Sequence, residues 1–457
     1  MEKLDLDKIL ISIGEWGHFQ TLTYFALCCV VIFSVFPMSY IFVARDIKYR
    51  CLYYQPQTNN TCMHFDKNIT RTCRNFVFER NQTTIVQDFD VTCDENLWKL
   101  TTVGTVSALG ELFCLPLAGF LSDRFGRRSM IIVSVLSSTI IGLVRSFSIS
   151  YLMYITLEFL DTALSSGMYS GAFILAVEIV DSKKRNLGNT IICCAFALGQ
   201  ILLGVAAWMT PSWRIMLRVL YTFGFLVAFA VWLIPESIRW LISKKQYEKA
   251  WKVLQLALKF NGDGLKEEIF NQFPKINLRE EQKEAVSVMA VLKTKTLLLR
   301  TLHCSYTWIC CNFPYYGLTI QSVALSENIY FNFIFTSLIE IPAYILTQTI
   351  MNRFGRRKTM ACSLILGGIA CFCVNMVEKD WLILTVFLCG KFFITMAYTT
   401  LYIYTAEMFP TKSRHSILAI CSMCGRVGSL MAPQVPLLRF GSRKRSILSF
   451  QMILMKL

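Results

Sequence analysis

Long apolar runs separated by short polar knots organise this chain. Runs near 20 residues, the length a helix needs to cross a bilayer, occur at 21–43, 98–121, 129–147, 150–177, 187–208, 213–234, 297–321, 328–350, 359–377, 381–404 and 415–436. The pattern predicts an all-α polytopic protein with about eleven spanning helices. They fall into an N-terminal bundle at 21–234 and a C-terminal bundle at 297–438, with a polar N-terminus at 1–20, a loop at 44–97, a linker at 235–296 and an atypical tail at 439–457.

Two of the polar knots are related. The fragment Asp123-Arg-Phe-Gly-Arg-Arg128 returns as Asn352-Arg-Phe-Gly-Arg-Arg357, and Glu178, Lys183 and Arg185 return as Glu407, Lys412 and Arg414, both at an offset of 229 residues. Unlike signals that share one spacing indicate a duplicated unit rather than two unrelated basic loops. Two similar halves in a membrane form the architecture that rocks around a central substrate site.

Composition agrees with this reading. Hydrophobic residues make up 54% of the 457 positions, charged residues only 17%, and the mean hydropathy is +0.47. A water-soluble domain of this size has a different balance. The net charge of +16 does not point to nucleic acid, because the basic residues occupy alternate short loops. This is the positive-inside pattern, which puts those loops and the N-terminus in the cytoplasm. Residues 1–20 lack the apolar core of a signal peptide, so the first span is expected to act as an uncleaved anchor.

The loop at 44–97 then faces outside. It carries glycosylation motifs at Asn59, Asn68 and Asn81, and four cysteines, Cys51, Cys62, Cys73 and Cys93. Together they predict a glycosylated, disulfide-braced cap whose pairing the spacing leaves open. In the linker, Pro235-Glu-Ser-Ile-Arg-Trp-Leu and the helically spaced Trp251, Leu254 and Leu258 read as amphipathic helices against the membrane or the basic loops, or as a solvated connector.

Some chemistry is missing. No phosphate-cradling Gly-rich loop with Lys-Ser/Thr occurs, the four histidines are scattered, no matched Cys-x-x-Cys pairs occur, and there is no nucleophile elbow. The chain is therefore not expected to be an enzyme, to bind a cofactor or metal, or to be driven by ATP. Nothing in the pattern addresses oligomeric state.

Other chemistry is present. Ionisable side chains inside spans are costly and by default functional. At about 1.5 Å per residue, Glu158, Asp161, Glu340, Lys391 and Arg426 share a layer roughly 12–18 Å from the outer edge. They are expected either to line a substrate site or to neutralise one another, Glu340 with Lys391 and Glu158 or Asp161 with Arg426. Glu111 joins this set, whereas Arg145, near a span end, is expected to snorkel to the surface. Pro314 with Tyr315 and Tyr316 predicts a bent helix presenting tyrosine faces, which suit organic cations and flat anions alike. The basic knots are expected to gate the cytoplasmic end: Asp123, Arg124, Arg127, Arg128, Glu178 and Arg185 in the first copy, and Arg353, Arg357, Glu407 and Arg414 in the second. In that reading Asp123 sits by the start of the next helix, near Ser129, and Glu178 with Arg185 and Glu407 with Arg414 complete the clusters.

Gly119-Phe-Leu-Ser-Asp-Arg-Phe-Gly-Arg-Arg128 resembles the signature loop of the major facilitator superfamily. Asp88-Phe-Asp-Val-Thr-Cys-Asp94, Pro235 to Leu241, Tyr315-Tyr-Gly-Leu318 and Tyr402 to Thr411 resemble its organic cation/anion/carnitine transporter family, over about residues 1–438. The resemblance implies a major facilitator fold of two six-helix bundles, alternating access, a plasma-membrane location and a small organic ion as cargo. It also implies cavity-lining roles for Tyr315, Tyr316 and Arg426. The position of Arg426 is usually acidic in the cation branch, which tilts the cargo towards an anion or zwitterion such as carnitine. Glu158 departs from the arginine that many superfamily members carry at this point of helix four, which removes support for a proton-coupling role borrowed from them.

The offset of 229 sets the partner of span six at 442–463, where Ser442-Arg-Lys-Arg445 and an end at Leu457 stand instead. The last helix is therefore expected to be missing or truncated. The competing functional readings are a non-transporting sensor or inactive variant and, more weakly, a receptor.

Overall fold

The structure is a computed structural model that describes residues 16–51, 62–66, 69–73, 75–78, 83–180, 184–261, 294–325, 328–409 and 414–438. Each expected apolar run forms helix. In the first half these are α1 (His18–Phe33), α2 (Leu97–Phe125), α3 (Arg127–Arg145), α4 (Tyr151–Ile179), α5 (Arg185–Met209) and α6 (Trp213–Leu233). The linker contributes α7 (Ile238–Ser243) and α8 (Tyr247–Asn261). The second half has α9 (Lys295–Gln321), α10 (Ile329–Leu338), α11 (Glu340–Phe354), α12 (Arg356–Cys373), α13 (Asp380–Met408) and α14 (Arg414–Met431). Among the described residues, eight helical segments are long and apolar enough to cross a membrane. The tail at 439–457 and the sequons Asn59, Asn68 and Asn81 lie outside the described residues.

The duplication is visible in the helix boundaries. Arg127, Tyr151, Ile179 and Arg185 in the first half correspond at the same offset of 229 to Arg356, Asp380, Met408 and Arg414, which begin or end the matching helices. Gly126 (φ +108°) and Gly355 (φ +84°) also correspond, each reversing the chain between two helices without a loop. Only glycine takes that backbone region without a Cβ clash. Packing repeats as well: α3 lies along α4 as α12 lies along α13.

Local sequence explains the other breaks. Ser150 and Ser212 accept hydrogen bonds from Met153 N (3.2 Å) and Arg214 N (3.3 Å), capping α4 and α6. The first run is not one continuous helix. It tightens at Phe36–Ser39, where Pro37 removes a donor, and resumes through Val43. The run at 328–350 breaks between α10 and α11, so Glu340 opens a new helix with Pro342 in its first turn. An acid in the first turn of a helix is favoured by the helix dipole. Pro314, by contrast, lies inside an uninterrupted α9.

Outward faces are apolar. Phe223, Leu226, Phe229 and Leu233 form an exposed stripe along α6, as expected of a helix facing lipid. One buried apolar core runs through the first half and the linker helices, and two smaller ones fill the second half. Helices α9 and α14 meet at glycines: a Cβ on Gly428 would lie 2.6 Å from the Ile309 carbonyl oxygen, whereas one on Gly368 meets nothing within 4 Å. Gly428→Ala should therefore lower the unfolding temperature of the detergent-purified protein, at a cost of about 1–3 kcal/mol. Gly368→Ala should be neutral or slightly stabilising; equal effects would refute this packing.

The cap is built from two antiparallel ribbons, Tyr49–Cys51 with Phe76–Phe78 and Met63–Asp66 with Ile69–Thr72. Its disulfides join Cys51 to Cys73 and Cys62 to Cys93, with Cα separations of 5.9 and 5.8 Å. It is tied to α6: Thr83 pairs with Pro211 and Trp213 through the backbone, and Asp88 accepts from Trp213 Nε1 and Arg214 Nε, both at 3.0 Å. At the opposite end α8 caps α1, since Asn261 Oδ1 accepts from Phe19 N at 3.0 Å and its amide donates to Gln20.

Candidate functional site

A cavity with about 1210 Å³ of empty space, part of it open to solvent, lies between the halves. The first half lines it with Ser107 and Glu111 of α2, Thr162 and Tyr169 of α4, and Asn189 and Cys193 of α5. The second half supplies Tyr315 and Tyr316 of α9, Tyr344 of α11, Tyr398 and Tyr402 of α13, and Arg426 of α14.

Two opposite charges meet here from different halves. Arg426 Nη1 donates to Glu111 Oε2 at 2.8 Å and to Tyr316 Oη at 2.9 Å. The Glu111 side chain keeps 35% of its surface exposed and Arg426 12%, so both groups can be reached from the cavity. Tyrosines form a cage around them. Tyr315 stacks on Tyr398 with ring centroids 4.8 Å apart, and Tyr316 and Tyr402 stand edge-on to these rings at 5.3 and 5.4 Å. Such faces attract cations and stack on flat groups.

The other intramembrane charges are brought together behind this lining rather than in it. Arg145, Glu158 and Asp161 are fully buried. Arg145 Nη1 pairs with Glu158 and lies 3.3 Å from Asp161, while its Nη2 donates to Ser39 Oγ (3.1 Å) and Tyr221 Oη (2.9 Å). Arg145 thus does not snorkel: two acids on one face of α4 draw its guanidinium inward, and leaving them unpaired in lipid would cost far more than burying the arginine beside them. The pairing of Glu158 or Asp161 with Arg426 is likewise replaced, by Arg145 on one side and Glu111 on the other.

A second sealed set lies in the other half. Lys391 Nζ is 2.8 Å from Glu340 Oε1, donates to Thr319 Oγ1 at 2.7 Å and to the Tyr315 carbonyl at 3.1 Å, and lies 3.7 Å from the Tyr315 ring centroid. Glu340 Oε2 accepts from Tyr315 and Tyr344, each at 2.9 Å. The expected Glu340–Lys391 pair is present, and it holds two cavity tyrosines by their hydroxyl groups.

The basic knots share an ion pair at the same offset of 229: Arg127 with Glu178 at 3.4 Å and Arg356 with Glu407 at 3.0 Å. Glu178 and Glu407 thus meet the first arginine of α3 and of α12, while Arg185 and Arg414 open α5 and α14. Asp123 is in the last turn of α2 and pairs with Arg127 at 2.7 Å. It does not sit at the start of α3, because α3 already begins at Arg127. The acid at that helix start is Glu236, whose carboxylate accepts from Arg127 N (3.0 Å) and Arg128 N (3.1 Å) and fills the space where Gly126 lacks a Cβ. A Cβ on Gly355 meets nothing within 4 Å. Glu236 is a residue that sequence reasoning passed over, although its Pro-Glu-Ser context marked it. Arg128 donates to the Trp232 carbonyl, Arg124 and Arg353 lie over Phe125 and Phe354, and Arg357 is exposed.

Among the described residues, contacts between the halves are found towards the disulfide end. Arg45 donates to Tyr330 Oη at 3.2 Å, Ser337 Oγ to Gln200 Oε1 at 3.0 Å, and Gln434 bridges Thr101 and Thr105. Phe42 packs on Phe333 with ring centroids 4.9 Å apart, and Gly104 abuts Pro433. The cavity, in contrast, continues past the mid-membrane layer to Asn189, near the basic end of α5.

Known proteins share this construction. The profile of the Major Facilitator Superfamily matches residues 81–433. The rat "Organic cation/carnitine transporter 2" is 27% identical over 479 residues, covering 94% of this chain and 86% of its own length. The mouse "Solute carrier family 22 member 3" is 30% identical over 377 residues, 80% of this chain and 68% of its own. The fold matches the xylose transporter XylE from E. coli in a partially occluded inward open conformation, with a TM-score of 0.70, 13% identity and coverage of 96% of this chain and 97% of that one. The chain therefore belongs to the major facilitator superfamily and, within it, to solute carrier family 22.

Proposed function

We propose that this protein carries small organic ions across the plasma membrane by alternating access, with residues 21–234 and 297–438 rocking as two bodies about the cavity. The observation that carries this reading is the Glu111–Arg426 pair, one charge from each half, set among tyrosines in a solvent-connected cavity. A cargo bearing both signs can replace each partner with its own charge, its carboxylate on Arg426 and its cationic group on Glu111 within the aromatic cage. Such a zwitterion has the chemistry of carnitine, named in several relatives. The basic end faces the cytoplasm by the charge rule and the disulfide-braced loop faces outside; in that orientation the described contacts between the halves lie on the outer side, which supports an inward-facing reading.

Uptake of radiolabelled carnitine, tetraethylammonium and benzoate by cells expressing the chain tests this. Saturable uptake of at least one is expected; none above control, with surface expression verified, would favour a non-transporting protein. Within this reading, the Asp123–Arg127–Glu178 set fastened by Glu236 governs the cytoplasmic end of the first half. Glu236→Ala removes the acceptor of two helix-start N–H groups, worth about 0.5–2 kcal/mol, and should slow turnover several-fold while KM stays unchanged; Asp123→Asn should act in the same direction and less strongly. Unchanged turnover in both would show that these acids only anchor topology.

A further inference from the structure

We propose that Glu158 takes up and releases one proton per transport cycle through the cavity, a coupling that rests on the carrier reading above. The sealed cluster holds two carboxylates, Glu158 and Asp161, against one guanidinium, Arg145, all without solvent exposure. A second negative charge in that place has no counterion, and one bound proton restores balance. The hydrogen bonds identify where it belongs. Asp161 accepts from Ser138 and Tyr221 in addition to facing Arg145, which supports an anion. Glu158 Oε2 accepts from Arg145 and Tyr154 and the Ser107 hydroxyl stands beside the carboxyl, while Oε1 makes no hydrogen bond of normal geometry among the described residues.

The groups facing Glu158 come from each helix packed around it: Tyr154 and Asp161 on α4, Arg145 on α3, Tyr221 on α6 and Tyr40 beyond α1. From α2, the Ser107 hydroxyl stands beside the Glu158 carboxyl and also lines the cavity, one turn from Glu111. A proton leaving Glu158 therefore crosses a single hydroxyl to reach cavity water. The Glu340–Lys391 set offers no equivalent, since one cation there matches one anion.

The test uses the full chain in proteoliposomes with a trapped pH dye and radiolabelled carnitine or tetraethylammonium, whichever the uptake screen finds carried. With one proton per cycle, an imposed gradient of one pH unit changes the accumulation ratio by up to about tenfold, and uptake moves the dye signal. Glu158→Gln should retain exchange of labelled for unlabelled cargo while losing both the gradient response and the dye signal. A wild-type gradient response kept by Glu158→Gln overturns the proposal. So does wild-type uptake that moves no protons, a result that needs no variant to fold. Absence of exchange by the wild type would count against the carrier reading itself, whereas exchange without a pH response counts only against the proton site.

Discussion

Arg426→Ala should weaken binding of an anionic or zwitterionic cargo by about ten- to a hundredfold, as expected from losing hydrogen bonds worth roughly 1.5–3 kcal/mol to a charged group. Arg426 donates to both Glu111 and Tyr316, so its removal leaves a carboxylate uncompensated between the halves and a tyrosine hydroxyl free to turn. The same change should improve entry of a purely cationic cargo, because Glu111 then has no internal partner, and Arg426→Asp should extend that preference. Concentration curves for carnitine and tetraethylammonium in matched cells provide the check. Equal KM values for wild type and both variants, at equal surface expression, would make the pair a structural tie.

Arg145→Ala should have the largest effect on stability. Breaking a buried ion pair from one side costs about 3–5 kcal/mol, and here two carboxylates lose their shared cation. The expected outcome is little folded protein at the cell surface and a sharply lowered unfolding temperature in detergent. Neutralising the acids at the same time should recover much of the loss, so Arg145→Met combined with Glu158→Gln and Asp161→Asn should outperform Arg145→Ala alone. A single Arg145→Ala variant as stable as wild type would contradict the sealed cluster.

Much of the architecture was legible because a membrane imposes it: apolar length sets each helix, and the repeated Arg-Phe-Gly-Arg-Arg knot set the duplication that the helix boundaries follow. Depth along a helix could also be counted, and it placed Glu158, Asp161, Glu340, Lys391 and Arg426 in one layer. Rotation about each helix could not, since facing directions depend on neighbours that one sequence does not order. For that reason Glu340 with Lys391 was anticipated, whereas Glu158 and Asp161, assigned to Arg426, meet Arg145 instead, and Arg426 meets Glu111. Glu236 was hidden differently: it lies more than 100 residues from the helix start it caps, and its importance appears only once Gly126 brings α3 under it.

The two disulfides brace the cap internally, and the contacts of Thr83 and Asp88 with the start of α6 fasten it to the first half, with Arg45 at its root alone reaching Tyr330 of the second among the contacts described. It should therefore be carried as a rigid handle whenever the bundles swing. A nanobody clasping that handle would ride along without blocking transport, and a fluorophore on it, paired with one on the far side of the seam, would report each reorientation of a single molecule.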